Sequence, residues 1–403
     1  MISRRRILAA GAALAGSTTL PPIIPADAAG LTLDPALPEG LRDVAALEAL
    51  PGKKPLIRLS YRPPNYEAPL EYFRSPITPN DQFFVRYHLA DIPEVDAKSW
   101  KLTVGGDGAE KPITLTLDDL KALPAVEVVA VNQCSGNRRG LFKPHVPGVE
   151  WGYGAMGCAR WKGARLKDIL DKAGLKKDAI EISFDGADKG VVDKVPDFVK
   201  SLPTWKAIED TTIIAYEMNG APLPHLNGFP ARLVVPGWTG TYWMKHLITI
   251  SALTKPLGTF WMASAYRLPL GKFPVVARFT SQETGANTPI TEMVVNSLIT
   301  SHADGASVTA GTAVGGLAWD GGYGITSVEV SMDGGKSWVP AKLGEDLGRF
   351  AFRPFSAPVT GTGKVTVMAR ATNKIGQTQT TELNHNPAGY HHNVIHRITL
   401  NVA

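Results

Sequence analysis

"VVAVNQCSGNRRG", Val128 to Gly140, places a thiol where a β-branched run stops, with two arginines close behind it. The run Val126 to Val131 has strand composition, and the Ser-Gly-Asn after Cys134 is turn chemistry, so the cysteine is expected at the end of a strand. Adjacent guanidiniums favour thiolate, the form that ligates metals or attacks electrophiles. The other cysteine, Cys158, lies in "GAMGCARWKGARLKDIL", where small and apolar residues lead into an amphipathic helix, and it reads as a buried small hydrophobe. A Cys134–Cys158 disulfide is the competing use of the pair, and these unlike settings argue against it.

The chain of 403 residues, 44% hydrophobic and 20% charged, is long enough for two domains with real cores and is neither disordered nor fibrous. Forty glycines and 31 prolines suggest short strands and many turns, hence a β-rich or mixed α+β fold. Ser3-Arg4-Arg5-Arg6-Ile7-Leu8 fits the twin-arginine export pattern, and the Ala/Gly/Leu run after it ends at the small-x-small site Ala26-Asp27-Ala28. Residues 1–28 are therefore expected to be a signal peptide for folded export to the periplasm. Loss of its three arginines and one aspartate takes the formal charge from +5 to +3. That mild balance, with no basic-aromatic array, does not point to nucleic acid. No stretch is long and apolar enough to span a bilayer.

Export in the folded state matters most for a protein that receives its cofactor before crossing the membrane, so a buried cofactor is expected. There is no C-x-x-C-H for covalent haem, no C-x-x-C for iron–sulfur or zinc, no H-E-x-x-H and no G-x-S-x-G. Cys134 must act alone, either as a nucleophile or as sole protein ligand to a metal held mainly by an organic cofactor.

"QCSGNRRG", "GVEW", "CARWKGARLKDIL" and "AYEMNGAPLPHLNGFPARLVVPGWTGTYWMKHL" together resemble the molybdenum-cofactor domain of the sulfite oxidase family. Upstream, "SPITPNDQFFVRYHLADIP" resembles that family's T-P-N-x-x-F-F-x-R-x-H segment. The resemblance runs from about residue 70 to 403 and is strongest to the bacterial periplasmic sulfite dehydrogenases, whose molybdenum subunit pairs with a cytochrome c. It implies a mononuclear molybdenum–molybdopterin cofactor with Cys134 as its thiolate ligand.

By the same resemblance Arg86 and Arg139 form the anion pocket, and planar guanidiniums suit the oxygens of sulfite. Arg138 is read as a surface ion pair or a contact to the cofactor phosphate. His88 lies two residues after Arg86, on the same face of a strand, and is placed in the pocket. Tyr266 matches the family's tyrosine beside the metal, and Trp151 is expected to wall the pocket. The cofactor is expected against Phe84, Val85, Arg86, Tyr87 and His88, then Asp188, Asn227, Arg232, Trp243, Met244 and Lys245, with Arg232 and Lys245 suited to the phosphate. Two departures from the animal enzymes stand out: Asn227 replaces a histidine, and "NPAGYHHNVIHR" lacks the arginine that their N-L-R-G segment sends to the substrate. His88 is the expected compensation.

Beyond about residue 285 the texture changes. "SVEVSMDGGKSW" alternates Val328, Val330 and Met332 before an Asp-Gly-Gly turn, and "KVTVMARATNKIGQ" and "HRITLNV" repeat strand patterning. An immunoglobulin-like β-sandwich is expected, in the family a dimerisation-type domain. His391, His392 and His396 are read as exposed tail residues rather than a metal cluster. The whole is an α+β chain: signal peptide 1–28, extended arm 29–60, molybdopterin-binding oxidoreductase domain 61–284, sandwich 285–403.

The resulting expectation is a periplasmic sulfite dehydrogenase that passes electrons singly to a c-type cytochrome, carries no haem, and forms a homodimer or a heterodimer with a cytochrome subunit. The rivals are a molybdenum-dependent sulfoxide reductase of the same superfamily, an oxygen-using sulfite oxidase, and an inactive partner-binding scaffold.

Overall fold

A computed structural model describes residues 46–269 and 287–403. The signal peptide, most of the arm and the boundary near residue 285 lie outside the described residues. The part of the arm that is described is not simply extended. Ala46–Glu48 and Leu56–Ser60 pair with Asn65–Glu67 and Val85–Arg86 in a four-stranded antiparallel sheet. Residues assigned to the arm thus build the sheet that ends on Arg86.

Two larger sheets complete the first half. Ala125–Gln133 pairs with Met156–Arg165, which pairs with Ile213–Met218, and Arg232–Val234 joins the latter. The other runs Lys200–Pro203, Glu181–Gly186, Leu247–Leu253, Lys101–Gly105, Ile113–Thr116, all antiparallel except the parallel pair Leu247–Leu253 with Lys101–Gly105. Helices are short. Leu166–Ala173 buries Leu166, Ile169, Leu170 and Ala173 at helical spacing and ends at Gly174, whose φ of 70° suits a residue without Cβ. Leu117–Lys121 starts on a capping box between Thr116 and Asp119.

The second half is a β-sandwich of four and five strands. Ile325–Ser331 turns Val328 and Val330 inward against Val367, Ala369 and Leu400, as its alternation requires, and Gly334 and Gly335 supply the positive φ of the turn after it. The fold is therefore α+β with a C-terminal sandwich. Arg267–Pro269 pairs with Asn287–Pro289, so the chain on either side of the boundary is held together by a ladder.

The two halves pack through polar groups that the sequence placed at the surface. Arg138 is fully buried, with guanidinium nitrogens donating to the carbonyls of Ser297 (2.9 Å) and Val394 (3.3 Å) and its plane near the rings of Tyr153 and Trp319. It is neither a surface ion pair nor a cleft residue. His391, His392 and His396 are likewise buried, not exposed tail. The backbone N–H of His391 donates to the Ser135 carbonyl, and His396 Nδ1 accepts from the Ile299 N–H. Burial holds all three well below the ordinary imidazole range, at about 4, 3 and 3 in turn, and among the described residues no group of three or more His, Cys, Asp or Glu is placed to hold a metal.

Candidate active site

One cleft of about 660 Å³ of open space, its mouth included, gathers most of the candidate residues. Phe84, Arg86, Tyr87, His88, Cys134, Asp188, Asn227, Arg232, Trp243, Met244, Lys245 and Tyr266 all line it. Val85 does not, because strand alternation turns its side chain into a separate core with Leu56 and Tyr66. Trp151 is fully buried outside the lining, and Arg139 stands one layer back.

Cys134 follows Gln133, the last residue of the strand Ala125–Gln133, with its N–H bonded to the Ala155 carbonyl and its own carbonyl accepting from Asn137. Both cysteines are free. Cys158 sits fully buried opposite Val131 in the ladder, where burial pushes its thiol up to about 12. It is an inert thiol, whereas Cys134 opens onto the cleft.

Beside it stands an aromatic and cationic group. His88 Nε2 is hydrogen-bonded to the Tyr266 hydroxyl, and the imidazole stacks on Phe198 with centroids 3.6 Å apart. Loss of hydration, with Arg86, Lys200 and Lys245 nearby, holds His88 well below its ordinary pKa. Three cations facing one buried imidazole make a positive setting that suits an anion in the cleft. Tyr266 has a φ of 58° and its phenol is raised by burial. Its ring stacks on Tyr390 of the second half at 5.6 Å. Arg139 lies behind this layer, 5.1 Å from the Tyr390 ring centroid, with Nε donating to the Ala388 carbonyl and a terminal nitrogen to the Val149 carbonyl. Added Cβ atoms at Gly136, Gly148 or Gly389 would meet its side chain at 2.5, 2.9 and 2.7 Å, so three glycines make its berth.

Further along the cleft the groups suit a phosphate and a polar ring system. Arg232 donates to the carbonyls of Asn227 (2.9 Å) and Trp243 (3.0 Å). Lys245 Nζ lies over the Tyr87 ring and donates to the Leu226 carbonyl at 3.2 Å. Asn227 accepts from Lys53, a buried lysine from the so-called arm that also donates to the Asn80 carbonyl. Asp188 is pushed up to about 6 by burial, against the pull of Lys245.

Four buried polar atoms of the lining residues have no hydrogen-bond partner: Asn132 Oδ1, Ser135 Oγ, Arg232 Nε and Thr241 Oγ1. Orphaned donors and acceptors together, in a cleft where cations outnumber carboxylates, fit a large polar cofactor with an anionic end. Sequence reading missed Asn132, Ser135, Lys53, Lys200 and Tyr390. Only Lys200, a charge inside the apolar run "DFVKSL", carried a local signal.

Residues 88–261 match the family described as the oxidoreductase molybdopterin binding domain, and residues 287–403 the Mo-co oxidoreductase dimerisation domain. Sulfite oxidase of Arabidopsis thaliana is 32% identical over 326 residues, covering 77% of this chain and 81% of its own. The chain belongs to the sulfite oxidase family of molybdenum enzymes. The family's mitochondrial sulfite oxidase of Rattus norvegicus is 38% identical over 303 residues, and that match covers 73% of this chain but 54% of the rat protein, so the chain spans about half the length of such relatives. In three dimensions the sulfane dehydrogenase SoxCD of Paracoccus pantotrophus superposes with a TM-score of 0.74 over 92% of this chain and 93% of that one, at 24% identity, a likeness of fold. The chain thus carries the family's molybdopterin binding domain, and no described helix is long and apolar enough to cross a membrane.

Proposed function

We propose that this chain is a periplasmic sulfite dehydrogenase that oxidises sulfite to sulfate and passes the electrons singly to a c-type cytochrome. The observation that carries the reading is the meeting of Cys134, Arg86, His88 and Tyr266 in one cleft whose lining continues to Arg232 and Lys245. Cys134 would hold the metal, and Arg232, Lys245 and Asn227 the pterin and its phosphate. When bound, the molybdenum centre supplies the two-electron oxygen-transfer chemistry.

The chain's own groups do the rest. Arg86 offers a guanidinium at the cleft wall to an oxyanion, and Arg139 adds positive charge from behind. His88 fixes the Tyr266 hydroxyl through Nε2, so a hydrogen-bonded pair stands ready to move a proton at the reacting end. Phe83, Phe84, Phe198 and Met244 make an apolar wall that limits water and strengthens the field of the cations. Overall, sulfite and water give sulfate, two protons and two electrons. In this reading the electrons leave to a separate carrier, either a subunit or a soluble cytochrome. The sandwich supports a homodimer or heterodimer, and the twin-arginine pattern supports the periplasm.

The test is sulfite-dependent reduction of cytochrome c by purified protein of measured molybdenum content, with NAD and oxygen as alternative sole acceptors. Cytochrome reduction that slows as salt rises is expected, since a mildly charged protein docks through a local patch. Robust turnover with oxygen and none with any cytochrome overturns the dehydrogenase reading.

A further inference from the structure

We propose that Lys200 is an additional cation of the oxyanion pocket, set behind Tyr266, which raises affinity for sulfite and sulfate without touching them. The inference rests on the sulfite-oxidising function above and names a specificity-determining residue for it. Lys200 opens the strand Lys200–Pro203, pairs with Phe184, and is 1% exposed. Its ammonium donates one hydrogen bond, to the Trp261 carbonyl at 2.8 Å. Otherwise it faces rings: Tyr242 at 4.6 Å and Tyr266 at 5.2 Å from their centroids.

No carboxylate forms a salt bridge with Lys200 among the described residues. Glu181, whose field reaches it, is engaged by the Ser201 hydroxyl at 2.8 Å and the Leu257 N–H at 3.0 Å, and Arg267 adds a second positive charge. Burial accordingly pushes Lys200 down to about 7. A buried ammonium with a single carbonyl partner is a destabilising choice, and an apolar side chain of like volume normally improves on it. The counter-charge that makes sense of it is an anion in the cleft, which the same Tyr266 side chain lines. A cation on that ring also strengthens the phenol as a hydrogen-bond donor to an anion. The pocket lacks the C-terminal arginine, and Lys200, 5.2 Å from the Tyr266 ring centroid, is placed to supply positive charge there.

The experiment compares the molybdenum-loaded wild type with Lys200→Met and Lys200→Arg. Sulfate affinity is read by calorimetry, sulfite kinetics by cytochrome reduction, and stability by thermal melting. Lys200→Met should melt at or above the wild-type temperature while its sulfate Kd and sulfite KM rise about tenfold, the order expected for losing one charge acting across a ring in a protein interior. The kcat should change less than KM, and Lys200→Arg should restore anion affinity to within about threefold. A Lys200→Met sulfate Kd within about twofold of wild type overturns the inference. So does a melting temperature lowered by more than about 5 °C, which would make the lysine a packing element. A wild type that binds sulfate yet does not oxidise sulfite overturns the proposed function instead, and the sulfate comparison still decides the role of Lys200.

Discussion

Arg138 separates two accounts of the arginine pair, and replacing it tests them. Its guanidinium satisfies the carbonyls of Ser297 and Val394 and lies near the rings of Tyr153 and Trp319. Arg138→Ala leaves the buried Ser297 carbonyl without this donor, at about 1–3 kcal/mol, weakens a part-buried contact to Val394, and removes ring contacts worth about 1 kcal/mol. Relief of an ammonium-like charge buried without a carboxylate offsets part of this. The expected loss is about 2–4 kcal/mol, read as a lower denaturant midpoint with molybdenum content per folded protein unchanged. Residue 138 has a φ of 68°, strained for any residue with a Cβ, so Arg138→Gly should be about 1 kcal/mol more stable than Arg138→Ala. An Arg138→Ala protein with the wild-type midpoint but depleted in molybdenum would refute the packing role and restore the cofactor-phosphate contact.

Other perturbations act on the site or on protonation. Cys134→Ala should fold normally and lose molybdenum and activity while Cys158→Ala keeps most of both, measured by metal analysis and sulfite turnover; equal loss in the two would sink the ligand assignment. Arg86→Gln should raise the sulfite KM and lower kcat by about tenfold or more in kcat/KM, since the guanidinium faces both the incoming and the departing anion; unchanged kinetics would remove it from the pocket. His246, His391, His392 and His396 are held at about 3 to 4, so the unfolded chain binds their protons first and stability, full above about 6.5, is lost as pH falls toward 4. Asp185 and Asp188, pushed up to about 6, oppose this by taking protons in the folded state, but the buried histidines outnumber them; urea midpoints flat from pH 7 to 5 would contradict it.

The sequence made local chemistry legible and long-range packing illegible. That Cys134 follows a strand, that Leu166–Ala173 is an amphipathic helix and that Val328 and Val330 face a sandwich core all follow from periodicity within a few residues. Twelve of the nineteen lining residues came through because most of them cluster in motifs around residues 84–88, 227–232 and 243–245. What failed was burial set by the other half of the chain. Arg138 meets Val394 across 256 residues of sequence, and nothing near either position signals the other. The histidines before the last strand are buried for the same reason. Val85 was misplaced because membership of a motif was read as contact, although alternation sends it to the opposite face of its strand.

The same interface gives the sandwich a part in the chemistry beyond association. Tyr390, held in its loop by the Asn386 side chain bonding both its N–H and its carbonyl, stacks on Tyr266, and Arg139 reaches back from the first half to the Ala388 carbonyl. Gly389, with φ 65°, lets that loop close on the Arg139 side chain, where any Cβ would collide. The stretch Asn386–Tyr390 therefore serves as a backbone anchor, and the guanidinium it holds comes from the cysteine's own turn. Charge delivered to the oxyanion end of the cleft is thus redistributed: Arg139 and Lys200 both stand behind tyrosine rings, and Arg86 alone of the three lines the cleft. For the proposed sulfite-oxidising function, a pocket built this way would bind its anion through a field spread over several groups, so a single-charge change is expected to weaken affinity without abolishing it.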